Sequence, residues 1–283
     1  MNDIGFVQGV SVAERLRTFG GKLFRIEQHL QRLARSLEIV GIDLPQDLAE
    51  LGSMAERLVA ENHALLANGD DLGLCLFVTP GVSGWLADAV PPGPTVCMHT
   101  YPLPFHQFAH FYEQGQPLVV SKVRQVPTTC WPSELKCRSR MHYYLADKEA
   151  ATAQPGARAL LLDADGFVSE ASTANIVIYQ RDEGLISPPR EKILPGVSIG
   201  VLEELAEATW VPFFYRDLTV EELLAADEAM LCSTSPCVWP VTQLGGQQIG
   251  KGKPEYAFRR LLGAWNDLVG IDIEAQAKRF SAR

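Results

Sequence analysis

Residues 131–175 read WPSELKCRSRMHYYLADKEAATAQPGARALLLDADGFVSEASTAN, and they combine the patterns of a helix, several strands and two chemically distinctive side chains. Tyr143, Ala146 and Ala150 have the spacing of one helical face, which predicts a helix at about 138–153. Lys136 lies just before this helix. The stretch therefore contains a lysine directly before a predicted helix.

Short strands are predicted after this helix. The apolar run 157–162 (ARALLL) predicts one strand, and the DADG sequence at 163–166 predicts a turn because Asp and Gly tolerate left-handed backbone. Residues 167–169 return as a second strand, and 175–179 (NIVIY) form a third. Glu170 therefore lies where a hairpin strand ends.

Lys136 and Glu170 are the candidate chemical groups of this stretch. A lysine amine can form a Schiff base with a carbonyl cofactor. A carboxylate can keep a pyridine nitrogen protonated, and pyridoxal 5'-phosphate requires both groups from its protein. Taken singly, each residue has an ordinary alternative, namely a solvated surface lysine and a strand-end carboxylate.

The combination of Lys136 with the sequence at 163–175 resembles the class IV, or fold type IV, pyridoxal-phosphate-dependent aminotransferases. This family includes branched-chain aminotransferases, D-amino acid aminotransferases and aminodeoxychorismate lyase. Its pattern D-x-x-G-x-V-x-E-x-x-x-x-N is matched by Asp163, Gly166, Val168, Glu170 and Asn175. The resemblance extends from about residue 3 to about residue 260. It implies an α/β (α+β) fold with two domains, a cofactor in the cleft between them, and a homodimer.

The domain boundaries follow from the composition and the predicted elements. Residues 1–122 are expected to form a smaller α/β domain, 123–134 (VRQVPTTCWPSE) the connection, and 135–283 the larger cofactor-binding domain. Further helices are predicted near 47–67, 197–209 and 254–268, and the last ten residues (EAQAKRFSAR) are expected to be a solvated tail.

The resemblance also implies a set of cofactor-binding residues. Arg32, in the sequence HLQRL at 29–33, matches the arginine that grips the phosphate, and a guanidinium fork can bond two phosphate oxygens. The helix start at 197 offers free backbone N–H groups and a positive dipole end. The full implied set is Arg32, Lys136, Glu170, Asn175, Val197, Ser198, Ser233 and Thr234, with Lys136 as the catalytic residue and no metal ligand.

The resemblance determines the substrate residues less closely. Glu14 matches the branched-chain enzymes, whereas Arg140 matches the lyase group. Trp85 lies in a loop where related enzymes carry arginine, and Asp71-Leu72-Gly73 stands where branched-chain enzymes carry Tyr-x-Arg. The usual carboxylate-binding arginines are therefore missing, and their candidate replacements are Arg15, Arg138 and Arg140.

The activity that the resemblance implies is amino transfer between an amino acid and a 2-oxo acid through a Lys136 Schiff base, with a branched-chain-like donor favoured. One alternative is an aminodeoxychorismate lyase that gives 4-aminobenzoate and pyruvate. Another is a non-catalytic relative that binds the cofactor. Release of pyruvate without any 2-oxo acid acceptor would distinguish the lyase.

Charge and composition limit the other classes of partner and location. The net charge of −9 makes nucleic acid and anionic membranes unfavourable partners. No apolar stretch approaches the ~20 residues of a membrane span, and no signal peptide is visible. The six cysteines show no paired spacing, which favours reduced thiols and a cytoplasmic location.

Overall fold

The computed structural model describes residues 2–82 and 93–282, and the chain divides into two compact units. The first unit comprises Met1–Leu103 and Glu134–Arg140. The second unit comprises Pro104–Ser133 and Met141–Arg283. Each unit contains both helices and strands, as the sequence predicts for an α/β fold.

The first unit is built on a four-stranded antiparallel sheet in the order β2-β1-β3-β4. Two longer helices, α2 and α3, pack on this sheet. The elements of the unit are α1 (Ile4–Val7), β1 (Val12–Phe19), β2 (Lys22–Leu23), α2 (Ile26–Val40), α3 (Leu48–His63), β3 (Leu72–Thr79) and β4 (Thr95–Pro102).

Alternation along the strands explains how this sheet is covered. Val12 on β1 and Leu76 on β3 are buried against α2, in a core that also contains Leu33. The intervening strand residues point to the opposite face because side chains alternate along a strand. Helix α2 ends at Gly41, whose left-handed backbone (φ 75°) lets its N–H bond back to the last helical turn.

The segment Glu134–Arg140 belongs to the first unit because it pairs with β1. Cys137 forms an antiparallel bridge with Val12. The Ala13 N–H donates to the Lys136 carbonyl (3.0 Å), and the Arg138 N–H donates to the Ser11 carbonyl (2.8 Å). Lys136 therefore lies on a short extended segment along the edge of this sheet.

The second unit is built on a nine-stranded mixed sheet in the order β10-β9-β8-β11-β12-β5-β6-β7, with β13 paired to β12. Its elements are α4 (Phe105–Gln114), β5 (Gln116–Val120), α5 (Met141–Ala153), β6 (Arg158–Leu162), β7 (Val168–Ala171), β8 (Asn175–Gln180), β9 (Gly184–Ser187), α6 (Val197–Ala208), β10 (Phe213–Tyr215), α7 (Val220–Ala225), β11 (Glu228–Ser233), β12 (Cys237–Leu244), β13 (Gln247–Gln248), α8 (Tyr256–Val269) and α9 (Ile273–Arg279).

The unit boundaries differ from the predicted domain boundaries at 122 and 134. Helix α4 and strand β5 belong to the second unit because β5 pairs with β12 and with β6. Residues 134–140 belong to the first unit because of their pairing with β1. The composition of 123–134 is that of a loop, but strand pairing decides which unit each flanking segment joins.

The prediction of a solvated tail over the last ten residues is wrong, because most of this segment belongs to helix α9. Helix α9 buries Ile273 and Ala277, and the ring of Phe280 lies 5.9 Å from that of Phe105 on α4. These three apolar residues recur at helical spacing, so they form one face that packs on α4. The many charged residues between them obscured this face in the sequence.

The other helices agree with the predictions within a few residues. The predicted helices at 138–153, 197–209 and 254–268 correspond to α5, α6 and α8, and the one at 47–67 ends earlier, at His63. Within residues 2–82 and 93–282, no helix has both the length and the apolar character that crossing a membrane requires.

Candidate active site

Glu170 is positioned by the hairpin that β6 and β7 form in the second unit. It lies directly opposite Leu161 in the antiparallel register, so both side chains are on the same face of the sheet. Leu161 packs against Ala146 and Ala150 of α5. The carboxylate therefore points to the face that α5 covers, and only 5% of Glu170 is exposed.

Two donors hold the same oxygen of this carboxylate. Glu170 Oε1 accepts hydrogen bonds from the Tyr143 hydroxyl (2.5 Å) and from Gln125 Nε2 (2.7 Å). Gln125 is fixed in turn, because its backbone N–H donates to the Leu162 carbonyl at the end of β6 (2.9 Å). Hydrogen bonds to a carboxylate favour its ionised form and fix its orientation.

Asn175 connects Glu170 to the loop that precedes α6. Asn175 Nδ2 donates to the Leu194 carbonyl (3.0 Å) and lies 3.4 Å from Glu170 Oε2. The Leu194 N–H lies at the same distance from that oxygen. A side chain at Gly196 would overlap Asn175 Oδ1, since its Cβ would lie 2.2 Å away. Glycine is therefore what allows the loop to approach Asn175 this closely.

The start of α6 offers hydrogen-bond donors next to this loop. Gly196 precedes the helix and provides no side-chain cap for the first backbone N–H groups, which begin with that of Val197. Ser198 is buried in the first turn. This helix start is thus chemically suited to an anionic group such as a phosphate.

Ser233 and Thr234 follow a strand residue that pairs with Asn175. Cys232 on β11 is the register partner of Asn175, Ser233 ends the strand, and Thr234 begins the turn toward β12. Burial, together with the nearby Cys237 and Glu170, raises the pKa of the Cys232 thiol. The thiol therefore stays protonated. The hydroxyl groups of Ser233 and Thr234 follow it at this end of β11.

Lys136 lies in the first unit, on the extended segment beside β1. Its carbonyl accepts from Ala13, and its N–H donates to Ser36 Oγ on α2 (3.2 Å). The backbone of the lysine is therefore held on both sides by β1 and α2. Arg138, two residues further on, is held by its bond to Ser11.

Arg32 is held by a buried ion pair with Glu14. Arg32 Nε and Nη2 donate to the two carboxylate oxygens at 2.8 and 2.7 Å, which fixes the plane of the guanidinium group. His29 Nδ1 also lies 2.7 Å from Glu14 Oε2. Burial by itself would raise the pKa of Glu14, but Arg32 and His29 lower it to about 2. Burial lowers the pKa of His29, so its ring is neutral at pH 7 and donates from Nδ1.

The residues that the sequence suggested for substrate binding are each held by different contacts. Arg138 Nη2 lies 2.7 Å from Cys75 Sγ, and Arg140 Nε donates to the Cys137 carbonyl (3.1 Å). Glu14 is 1% exposed and engages Arg32 and His29, so it acts by positioning these side chains. Trp85 lies outside the described residues.

Sequence reasoning missed Tyr143 and Gln125 as partners of Glu170. Tyr143 is 27 residues from Glu170, and Gln125 is 45 residues from it. One signal was present: Tyr143 shares a helical face with Ala146 and Ala150, and such a face must pack on the hairpin that carries the glutamate. No comparable signal marks Gln125, which lies in a loop.

Comparisons with known proteins identify the family. The chain matches the family model for amino-transferase class IV over residues 11–244, so it belongs to the class IV aminotransferases, a family of pyridoxal-phosphate-dependent enzymes. The D-alanine aminotransferase of Staphylococcus epidermidis is 30% identical over 266 residues, which are 92% of this chain and 88% of that protein. A putative branched-chain-amino-acid aminotransferase of Methanocaldococcus jannaschii is 27% identical over 94% of this chain and 89% of that protein.

Solved structures confirm the fold. The branched-chain amino acid aminotransferase of Escherichia coli superposes on this chain with a TM-score of 0.86 at 23% identity. The match covers 95% of this chain and 88% of the E. coli chain. A second branched-chain amino acid aminotransferase, solved in complex with N-(5'-phosphopyridoxyl)-L-glutamate, has a TM-score of 0.82 at 22% identity, with the same coverage. The fold type IV architecture predicted from the sequence is therefore correct.

The residues of this chain fit the family's cofactor chemically. Glu170 is a buried, oriented carboxylate of the kind that a pyridine nitrogen requires. The start of α6, without a side-chain cap, supplies backbone N–H groups of the kind that bind phosphate. Asn175 and the close approach at Gly196 join these two features within one unit.

Proposed function

We propose that this chain binds pyridoxal 5'-phosphate through Lys136 and transfers an amino group between an amino acid and a 2-oxo acid. The observation that carries the proposal is the state of Glu170, a buried carboxylate held on one oxygen by Tyr143 and Gln125. A carboxylate that remains ionised and oriented can accept a hydrogen bond from a protonated pyridine nitrogen.

Each residue has a separate part in this proposal. When bound, the cofactor supplies an electron-accepting ring that stabilises the negative charge left at the substrate Cα after loss of its proton. Glu170 would keep the proton on the ring nitrogen by accepting its hydrogen bond. The Lys136 amine would hold the cofactor and, when a substrate amine has taken its place, would move the proton at the substrate Cα.

A second group of residues is assigned to the phosphate. The first turn of α6 provides backbone N–H groups at Val197 and Ser198, and the hydroxyl groups of Ser198, Ser233 and Thr234 add further donors. Arg32 adds a guanidinium group whose orientation is fixed by Glu14. Backbone N–H groups, hydroxyl groups and a guanidinium group can all donate hydrogen bonds to phosphate oxygens.

The amino donor is proposed in two versions. The sequence favours a branched-chain-like donor. A D-alanine donor is the second candidate, because D-alanine aminotransferases at 29–30% identity cover about nine-tenths of the chain. The two versions differ in the configuration at Cα and in the size of the side chain.

The experiment is a spectroscopic titration of purified protein loaded with pyridoxal phosphate. L-leucine, L-isoleucine, L-valine and D-alanine are added separately, and the visible band of the lysine-bound cofactor is followed. Bleaching by one donor, with recovery after a 2-oxo acid is added, is the expected result and names the donor. Pyruvate formed from aminodeoxychorismate without an acceptor would instead support the lyase. A band that no substrate changes would contradict both activities.

A further inference from the structure

One face of the first unit's sheet carries a group of basic and polar side chains. This second face is the side opposite to the one that α2 and α3 cover. Arg15 on β1, Cys75 on β3 and His99 on β4 are register partners, so they form one row across it. Arg15 and His99 are exposed. The row therefore places a guanidinium group and an imidazole on either side of a small thiol.

Tyr101 extends across the sheet next to this row. It is the register partner of Gly73, and its ring lies directly over that glycine. A Cβ at Gly73 would be 2.2 Å from Tyr101 Cζ, so only glycine leaves room for the ring. The guanidinium carbon of Arg15 lies 5.6 Å from the centre of the ring. The aromatic face thus orients an exposed arginine that would otherwise be free to move.

Arg138 approaches the same row from the edge of the sheet. Its backbone is fixed by Ser11, and its Nη2 lies 2.7 Å from Cys75 Sγ. Cys75 is also the register partner of Arg15. The Arg138 guanidinium therefore reaches, from the segment that carries Lys136, the strand position that is paired with Arg15.

Arg15 and Arg138 have no ion pair among residues 2–82 and 93–282, the part of the chain that the structure describes. Asp3 lies at the other end of the strands, where Thr79 and Thr95 donate to it. The buried hydroxyl oxygen of Tyr101 also has no hydrogen-bond partner within those residues. A buried polar atom of this kind requires an explanation, and a ligand provides one.

We infer that Arg15, Tyr101 and Arg138 bind a carboxylate group of the amino acid substrate. A guanidinium fork matches a carboxylate in geometry and charge, and a phenol hydroxyl can donate a third hydrogen bond. Arg138 lies two residues after Lys136, and hydrogen bonds hold the backbone of both residues. A carboxylate bound to Arg138 would therefore lie at a defined distance along this segment from the lysine that carries the reacting amine. The inference rests on the proposed function, because it assigns the recognition of that reaction's substrate.

The first experiment measures binding without any reaction. Succinate is titrated by calorimetry into the full-length protein, with and without pyridoxal phosphate. Arg15→Gln and Arg138→Gln are each expected to raise the Kd at least tenfold, since a hydrogen bond to a charged group is lost. Arg57→Gln, at an exposed position on α3, is the matched control and should leave the Kd unchanged.

Conservative variants separate recognition from stability. Arg15→Lys keeps the charge but loses the planar fork, so its Kd for succinate should fall between those of the wild type and Arg15→Gln. Tyr101→Phe keeps the ring under Arg15 and removes only the hydroxyl group. Because Arg15 is exposed, its variants should fold even if Arg138→Gln does not. Wild-type affinity in both Arg15 variants would overturn the inference, as would a wild-type protein that does not bind succinate.

A kinetic measurement connects the site to the reaction. The variants should raise KM for the amino donor at least tenfold, with a much smaller change in kcat. A fall in kcat with an unchanged KM would overturn the inference. Failure of the proposed function has a different signature, because a protein without transaminase activity would still show the dependence of succinate binding on the two arginines.

Discussion

The Tyr143 hydroxyl donates a hydrogen bond of 2.5 Å to Glu170 Oε1, which joins the start of α5 to the end of the β6–β7 hairpin. Gln125 donates to the same oxygen and also to the tyrosine hydroxyl (3.1 Å). These three side chains therefore form one hydrogen-bonded group that helps to fix the orientation of the carboxylate. Removing one member should change the hydrogen bonds of the other two.

Replacement of Tyr143 by Phe tests this group without changing the shape of the helix face. A hydrogen bond to a charged group contributes roughly 1.5–3 kcal/mol. We expect kcat/KM to fall about tenfold or more while the protein still binds cofactor. Tyr144→Phe is the control, because Tyr144 is adjacent and 66% exposed. Equal activity in the two variants would show that Tyr143 does not position Glu170.

Glu170→Gln keeps the size of the side chain and removes its charge. Without the negative charge, the proton on the ring nitrogen of the cofactor loses its partner, so we expect cofactor to bind while the rate of the half-reaction falls at least tenfold. Glu207→Gln, on the exposed side of α6, is the control. An unchanged half-reaction rate in Glu170→Gln would show that another group supports the ring nitrogen.

The buried pair of Glu14 and Arg32 predicts a stability effect. Glu14→Gln leaves the largely buried Arg32 without its charge partner, and breaking a buried pair costs about 3–5 kcal/mol. We expect the free energy of unfolding in urea to fall by this order at pH 7. Glu61→Gln, at an exposed position on α3, should have little effect. A loss equal to that of the control would mean that the pair adds nothing to stability.

The pH dependence of that difference has a definite sign. The pKa of Glu14 is lowered from 4.5 to about 2 in the folded chain. Its stabilising effect is therefore complete above pH 4.5 and is lost as the pH falls toward 2. Urea unfolding at about pH 7, 5, 4 and 3 should show the wild type and Glu14→Gln converging in the acidic part of this range. A constant difference across all four conditions would contradict the assigned pKa.

The packing of α9 gives a test of the fold. Ile273 is 1% exposed, and truncation of a buried isoleucine to alanine costs about 2–5 kcal/mol. We expect Ile273→Ala to lower the Tm clearly in calorimetry. Lys278→Ala, on the exposed side of the same helix, removes only a surface ion pair worth at most about 1 kcal/mol. Equal Tm values for the two variants would mean that α9 is not docked in solution.

Parts of this site could be predicted from the sequence because they depend on local spacing. The interval from Asp163 to Asn175 contains the turn after β6, strand β7 and the first residue of β8. Its pattern can therefore be recognised within one short stretch of sequence. The helix start at Val197 is likewise a local feature. Residues that act through long-range contacts, such as Gln125 beside Glu170 or Tyr101 over Gly73, carry no local pattern.

The same reasoning explains the differences at the unit boundaries and in the C-terminal segment. The composition of 123–134 indicates a loop, but only the pairing of Lys136 with Ala13 shows which sheet the following segment joins. The face of α9 becomes apolar only when Ile273, Ala277 and Phe280 are considered together against α4. Partners in space, and not local composition, determine both features.

Attachment of the cofactor to Lys136 is tested most directly by locating the attachment chemically. The protein loaded with pyridoxal phosphate is reduced with sodium borohydride, digested and analysed by peptide mass spectrometry. We predict a phosphopyridoxyl group on Lys136 and its loss in Lys136→Ala, whereas Lys148→Ala, at an exposed position on α5, keeps it. A label on a different lysine, or no label in the wild type, would contradict the account.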